Sequence, residues 1–240
     1  MPNQSFFYCL LFFVIACGKS TSQNKLKFIS KTIIEVPEPS GLTYHDGSLF
    51  VVSDEVPYLY RLSLNGRLEQ KYHTKVKDME GVVYDKSTES FILLSELKRS
   101  ITYYSLDKGV GKIHKIKGKQ HSKNKGLEGI CYHSKKQSLY VVNEARPKQL
   151  LKISRKGKIK KKYDLKFAKD ISGMVYDAKL DVFWVLSDES QALYKVNSKG
   201  KKLQKIPLEI KKPEGVCIDR NRRLYIVSDL TSELFIYQLE

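Results

Sequence analysis

A unit built around a glycine recurs five times along the chain, and nothing else in the sequence restricts the possible folds so strongly. The anchoring residues Gly41, Gly81, Gly129, Gly173 and Gly215 lie 40, 48, 44 and 42 residues apart. The first copy reads Glu38-Pro39-Ser40-Gly41-Leu42-Thr43-Tyr44, then Leu49-Phe50-Val51-Val52-Ser53-Asp54-Glu55, then Leu59-Tyr60-Arg61-Leu62. The same order follows from Asp78-Met79-Glu80-Gly81, Gly126-Leu127-Glu128-Gly129, Asp170-Ile171-Ser172-Gly173 and Pro213-Glu214-Gly215. A fixed period of this length is the mark of a repeat architecture. Short runs of Val, Ile, Leu, Tyr and Phe separated by Asp, Asn, Ser, Gly or Lys are strand and turn chemistry.

The first two runs of each unit are apolar on both faces, as strands must be when sheets stack on either side of them. The fourth run is Lys-rich, as in Lys158 to Tyr163 and Lys201 to Ile206, which suits an outer edge guarded by charge. The fifth copy ends at Glu240 after its third strand, while a spare strand, Leu26 to Val36, precedes the first copy. Pairing the two closes a ring. The sequence therefore predicts an all-β fold: a five-bladed β-propeller over residues 26–240, closed by its N-terminal strand. A six-bladed ring and an open stack of sheets are the alternatives.

Neighbouring antiparallel strands bring the start of strand one and the end of strand two to a common rim. Ser40, Glu80, Glu128, Ser172 and Glu214 begin the first strands. Asp54 with Glu55, Glu96, Glu144, Asp188 with Glu189, and Asp229 end the second. A ring of hard oxygen donors is what calcium prefers, so Glu80, Glu128 and Glu214 are candidate calcium ligands. The strand-two acids, together with Arg146, are candidates for binding a small-molecule or protein ligand. The competing reading makes those acids caps for turns. Arg146 would grip a carboxylate or phosphate, or else pair with Glu144. Nucleophile motifs, paired C-x-x-C and phosphate-binding glycine loops are missing, so no catalytic residue is named. Any enzymatic activity would be metal-dependent hydrolysis of a phosphoester or lactone. His45 and His133 read as turn residues, His73, His114 and His121 as exposed, and Tyr44, Tyr84, Tyr132 and Tyr176 as packing residues.

The first sixteen residues carry no charge, and an apolar run of ten extends from Phe6 to Ile15. A membrane-spanning helix needs about twenty residues, so residues 1–16 read as a signal peptide. Val14-Ile15-Ala16-Cys17-Gly18 resembles a bacterial lipobox, which makes Cys17 the lipidation site and 17–25 a tether. Two or more acyl chains give stable anchoring. The expected location is the cell envelope, on the periplasmic face of the outer membrane where the cell has one. Cys9 leaves with the leader, and Cys131 and Cys217 are expected as buried free thiols. The net charge is +17; export excludes nucleic acid as the partner and favours anionic lipid or an envelope polymer. The lysine runs Lys108–Lys125, Lys148–Lys169 and Lys195–Lys212 read either as a basic skirt that would make the chain an interaction scaffold, or as solvated edges. The chain is expected to act as a monomer.

The blade-specific set E-P-S-G-L, D-M-E-G-V, L-E-G-I-C-Y with N-E-A-R-P, D-I-S-G-M with L-S-D-E, and P-E-G-V-C-I-D with I-V-S-D resembles the SdiA-regulated family of exported or membrane-associated bacterial propellers. The resemblance covers residues 26–240 and implies a propeller with an acidic mouth and affinity for metal. A more distant similarity to phytase-like esterase and gluconolactonase-type propellers implies central carboxylates that hold calcium. Glu80, Glu128 and Glu214 are the nearest equivalents by position, while the Asn ligands typical of lactonases are not evident.

Overall fold

The computed structural model describes residues 25–118, 126–144 and 146–240. The leader, Cys9, the lipobox with Cys17, and His121 lie outside them. Among the described residues are twenty strands and one short 3-10 turn, Ser134–Lys136.

The strands form five four-stranded antiparallel sheets. The first holds β2 (Pro39–His45), β3 (Ser48–Ser53), β4 (Tyr58–Leu62) and β5 (Leu68–His73). The second holds β6 (Met79–Asp85), β7 (Ser90–Ser95), β8 (Ser100–Ser105) and β9 (Gly109–Lys115). The third holds β10 (Leu127–His133), β11 (Ser138–Asn143), β12 (Gln149–Ile153) and β13 (Ile159–Asp164), and the fourth β14 (Gly173–Asp177), β15 (Val182–Ser187), β16 (Ala192–Val196) and β17 (Lys202–Pro207). The fifth holds β18 (Pro213–Ile218), β19 (Arg223–Ser228), β20 (Glu233–Leu239) and, as its outer strand, β1 (Leu26–Ile33). Each innermost strand packs on the next, and β18 returns to β2. The ring is a five-bladed propeller, and β1 closes it with Leu26 opposite Leu239 and Ile33 opposite Glu233.

The doubly apolar strands follow from this stacking. Five buried clusters exist, one at each junction between blades. In β3, Leu49 and Val51 enter the cluster shared with the fifth blade, whereas Phe50 and Val52 enter the one shared with the second. Alternation along a strand thus feeds two cores instead of one core and solvent. Cys131 and Cys217 are buried free thiols in two different junctions, so no bridge joins them. Outer strands such as β5 and β13 are largely exposed.

The glycine of each unit allows the inner strands to touch. A Cβ on Gly41 would stand 2.6 Å from the Gly81 Cα, and one on Gly215 would stand 2.8 Å from the Leu42 amide nitrogen. One on Gly173 would overlap the carbonyl oxygen of Glu214.

The histidines differ in part from expectation. His133 has no exposed surface and stacks on Tyr176 of the next blade at 3.9 Å, and half-buried His45 stacks on Tyr84 at 3.5 Å. These rings carry the packing between blades to the last residue of β2 and of β10, where a turn residue would face water. Burial holds His133 down at about 4. His114 is half-buried with its ring edge-on to Tyr103 at 6.0 Å, while His73 is exposed.

Candidate functional site

At one end of the central channel the strand registers slip at one residue. Pairing between β2 and β3 skips from Pro39 to Gly41, between β6 and β7 from Met79 to Gly81, and between β10 and β11 from Leu127 to Gly129. In the fifth blade it skips from Pro213 to Val216. The residues left out are Ser40, Glu80, Glu128 and Glu214 with its glycine. Such β-bulges re-aim side chains, and here they turn three glutamates into the channel. Ser40 and Ser172 occupy the same position in the other two blades, and each hydroxyl donates to the backbone of the following blade, at Met79 and Pro213.

The second strand contributes a serine and then an acid. Ser53, Ser187 and Ser228 each accept the backbone N–H three residues on, at 3.2 Å, and Ser95 does so at 3.5 Å. In the third blade Asn143 donates to the carbonyl of Pro147. The preceding Ser or Asn therefore bonds the turn. This leaves Asp54 and Glu96 facing inward, where Asp54 Oδ1 and Glu96 Oε1 are buried without a hydrogen-bond partner.

The result is a cavity of about 250 Å³ lined by eleven carboxylates, two serines and one lysine. Glu80, Glu128 and Glu214 are there, together with Asp54, Glu96, Glu144, Asp188, Glu189 and Asp229. Glu55 and Arg146, expected on the same rim, are exposed and do not line the cavity.

Three lining residues escaped the sequence reading. Asp78, Asp170 and Lys212 each stand two positions ahead of the bulged residue or its counterpart. Asp78 accepts the amide of Leu97, and Asp170 accepts both the Ser187 hydroxyl and, at 3.0 Å, the Glu189 amide. Lys212, expected in the basic skirt, instead enters the mouth and forms an ion pair with Asp229. The signal available was positional: positions 38, 78, 170 and 212 all hold charged residues at one repeat offset.

Burial in company with like charge disfavours ionisation. Burial first, then neighbouring Asp229 and Glu38, push Asp54 up to about 6. Burial and Asp78 push Glu96 up to about 7. Glu80, Glu128 and Glu214 are raised well above the usual carboxylate range, chiefly by burial, then by one another and by the acids around them. Lys212 is raised despite burial, because Asp229 holds its proton. Two sets of three carboxylates, Glu38–Asp54–Asp229 and Asp78–Glu80–Glu96, each bring oxygens within 4.8 Å of one another. That spacing suits one shared cation, since calcium binds oxygens at about 2.4 Å. An all-oxygen set selects a hard cation over zinc or copper.

Solved propellers resemble the chain throughout. Glutaminyl cyclase of Myxococcus xanthus superimposes with a TM-score of 0.73 at 15% identity, covering 90% of this chain and 96% of that one. Regucalcin of Agrobacterium tumefaciens, a calcium-binding protein, gives 0.60 at 12% identity, covering 88% and 94%. Aldose sugar dehydrogenase of Streptomyces coelicolor gives 0.59 at 12% identity, covering 91% and 99%. At such identities the likeness concerns the fold alone. No curated protein sequence matches the chain. Residues 19–238 match the sequence model of the SdiA-regulated family, and the chain belongs to that family.

Proposed function

We propose that this propeller is a lipid-anchored envelope protein that binds a small-molecule or protein ligand through a calcium-loaded mouth. The observation that carries the reading is the gathering of eleven carboxylates around one cavity in a chain of net charge +17. Acids packed so closely either keep protons or surrender them to a cation. Asp78, Glu80 and Glu96 form the better of the two clusters, because Lys212 already neutralises Asp229 in the other. Glu128 adjoins the first cluster electrostatically, through Glu80 and Glu96. A calcium ion there would leave part of its coordination shell open to the ligand, and regucalcin, of similar fold, is a calcium-binding protein.

The direction of the strands supports the anchor. Lys25 and Leu26 begin the outer strand beside Leu239 and Glu240, and Leu239 in turn bonds Arg222 in the hairpin between β18 and β19, at the face opposite the acidic mouth. A tether from Cys17 to Lys25 reaches at most about 30 Å. The mouth would then point away from the membrane, with the exposed lysines of the outer strands near its anionic surface.

Isothermal titration of the chain with calcium tests the central claim. One saturable site is expected, with affinity falling about tenfold or more in Glu80→Gln. Absence of calcium uptake, or uptake unchanged in that variant, would refute it.

A further inference from the structure

We propose that the cleft between the second and third blades, on the same face as the acidic mouth, is a binding site for a phosphate group. The cleft has a volume of about 170 Å³ and is lined by Arg99, Lys117 and Lys162, with Asn143, Gln149 and the apolar Leu151 among the remaining residues. It borders the mouth across two turns. Glu96 and Glu144 face the acidic side of those turns, and Arg99 and Asn143 the basic side.

The observation that points to a ligand is Arg99 itself. Its Nε and Nη1 atoms are shielded from solvent and have no hydrogen-bond partner. A guanidinium so placed loses hydration at two donors without compensation. The main chain that carries it is held in place. The Arg99 amide donates to the Glu96 carbonyl at 2.9 Å, and its own carbonyl accepts the Ile116 amide at 2.7 Å. Gly118 lies directly against it, and a Cβ there would stand 2.9 Å from Nη2.

The Nε and Nη1 donors lie on different edges of the guanidinium, so each offers one charge-assisted hydrogen bond to an oxyanion oxygen. Three cations and no carboxylate line the cleft, which favours a doubly charged phosphate over a single carboxylate. The volume exceeds that of phosphate alone, so a phosphomonoester fits with its substituent lying toward Leu151.

Titration of the full chain, in detergent and with chelator present, uses inorganic phosphate as the probe. One saturable site is expected. Arg99→Gln should weaken it about tenfold to a hundredfold, the worth of charge-assisted hydrogen bonds. Lys162→Gln, at an exposed strand position, should weaken it less and guards against misfolding of the first variant. Glu80→Gln should leave phosphate affinity in chelator unchanged while weakening calcium binding in the separate calcium titration, which separates this site from the mouth. Glycerol 3-phosphate and vesicles containing phosphatidic acid distinguish a soluble ester from a lipid headgroup. No saturable binding up to about 10 mM, which would capture millimolar affinity, or equal binding by wild type, Arg99→Gln and Lys162→Gln, overturns the proposal.

Discussion

Raising the pH from 6.5 to 8 in the presence of chelator should destabilise this protein, and the size of the loss follows from the mouth. A carboxyl raised in the folded state contributes stability that is complete below its unfolded value and disappears as pH rises through its folded value. Below pH 6.5 the effect is obscured, because His133 is held down at about 4 by burial and therefore opposes it. Above about pH 8 the thiols of Cys131 and Cys217, both raised by burial, begin to contribute. Between these limits the mouth acids dominate. Each proton kept by the folded state alone costs about 1.4 kcal/mol per pH unit. Glu96, raised to about 7, then contributes a loss of about 0.8 kcal/mol across the window. The inner glutamates, raised well above the usual carboxylate range, add to the loss in the same direction. Glu96 alone therefore sets a lower bound of about 0.8 kcal/mol, or a drop of about 2 to 3 °C in Tm for a chain of this size. Thermal unfolding followed by circular dichroism measures it. Saturating calcium should restore stability at pH 8 and flatten the slope, and Glu80→Gln should flatten it without calcium. A Tm that stays level or rises from pH 6.5 to 8 in chelator would refute the electrostatic account of the mouth.

Two further outcomes test the architecture. Gly173→Ala forces a Cβ into the Glu214 carbonyl and should cost about 3 kcal/mol or more; urea unfolding reads this, and wild-type stability would contradict the close approach of the inner strands. Deleting residues 26–33 removes β1 and leaves the β20 edge unpaired, so the variant should associate on size-exclusion chromatography, whereas a stable monomer would show that closure is dispensable.

The ring was legible because its constraints repeat. In Leu49-Phe50-Val51-Val52, apolar residues on both faces require a core on each side, and β1 was the only unpaired strand available to the incomplete last unit. The inward glutamates were legible because each sits at one offset from a glycine. Lys212 was not, since it ends a lysine run whose other members face solvent, and only the repeat offset separates it from them. The triplet Ser-Asp-Glu ends both β3 and β15, yet Glu189 reaches the mouth and Glu55 does not. Once a strand ends, alternation no longer sets the side on which a residue lies, and the loops that follow, Val56-Pro57 and Ser190-Gln191, differ. The burial of His133 escaped notice for a similar reason, because its partner Tyr176 belongs to the next repeat and is 43 residues away in sequence.

The turns after strand two share their capping among several residues of each blade. A turn after strand two needs an acceptor for its orphan amide, and either member of a Ser-Asp or Ser-Glu pair has the chemistry to supply it. Serine does so in four blades. Asp78 and Asp170, from the start of the inner strand, add further acceptors for the same loops. The strand-two carboxylates keep part of the structural task, since Glu96 accepts the Gly126 amide and Asp188 the Lys212 amide, while one oxygen of Asp54 and one of Glu96 are buried without a partner. Those two oxygens, next to glutamates aimed inward by a bulge in the neighbouring strand, are the acceptors that the proposed cation would engage.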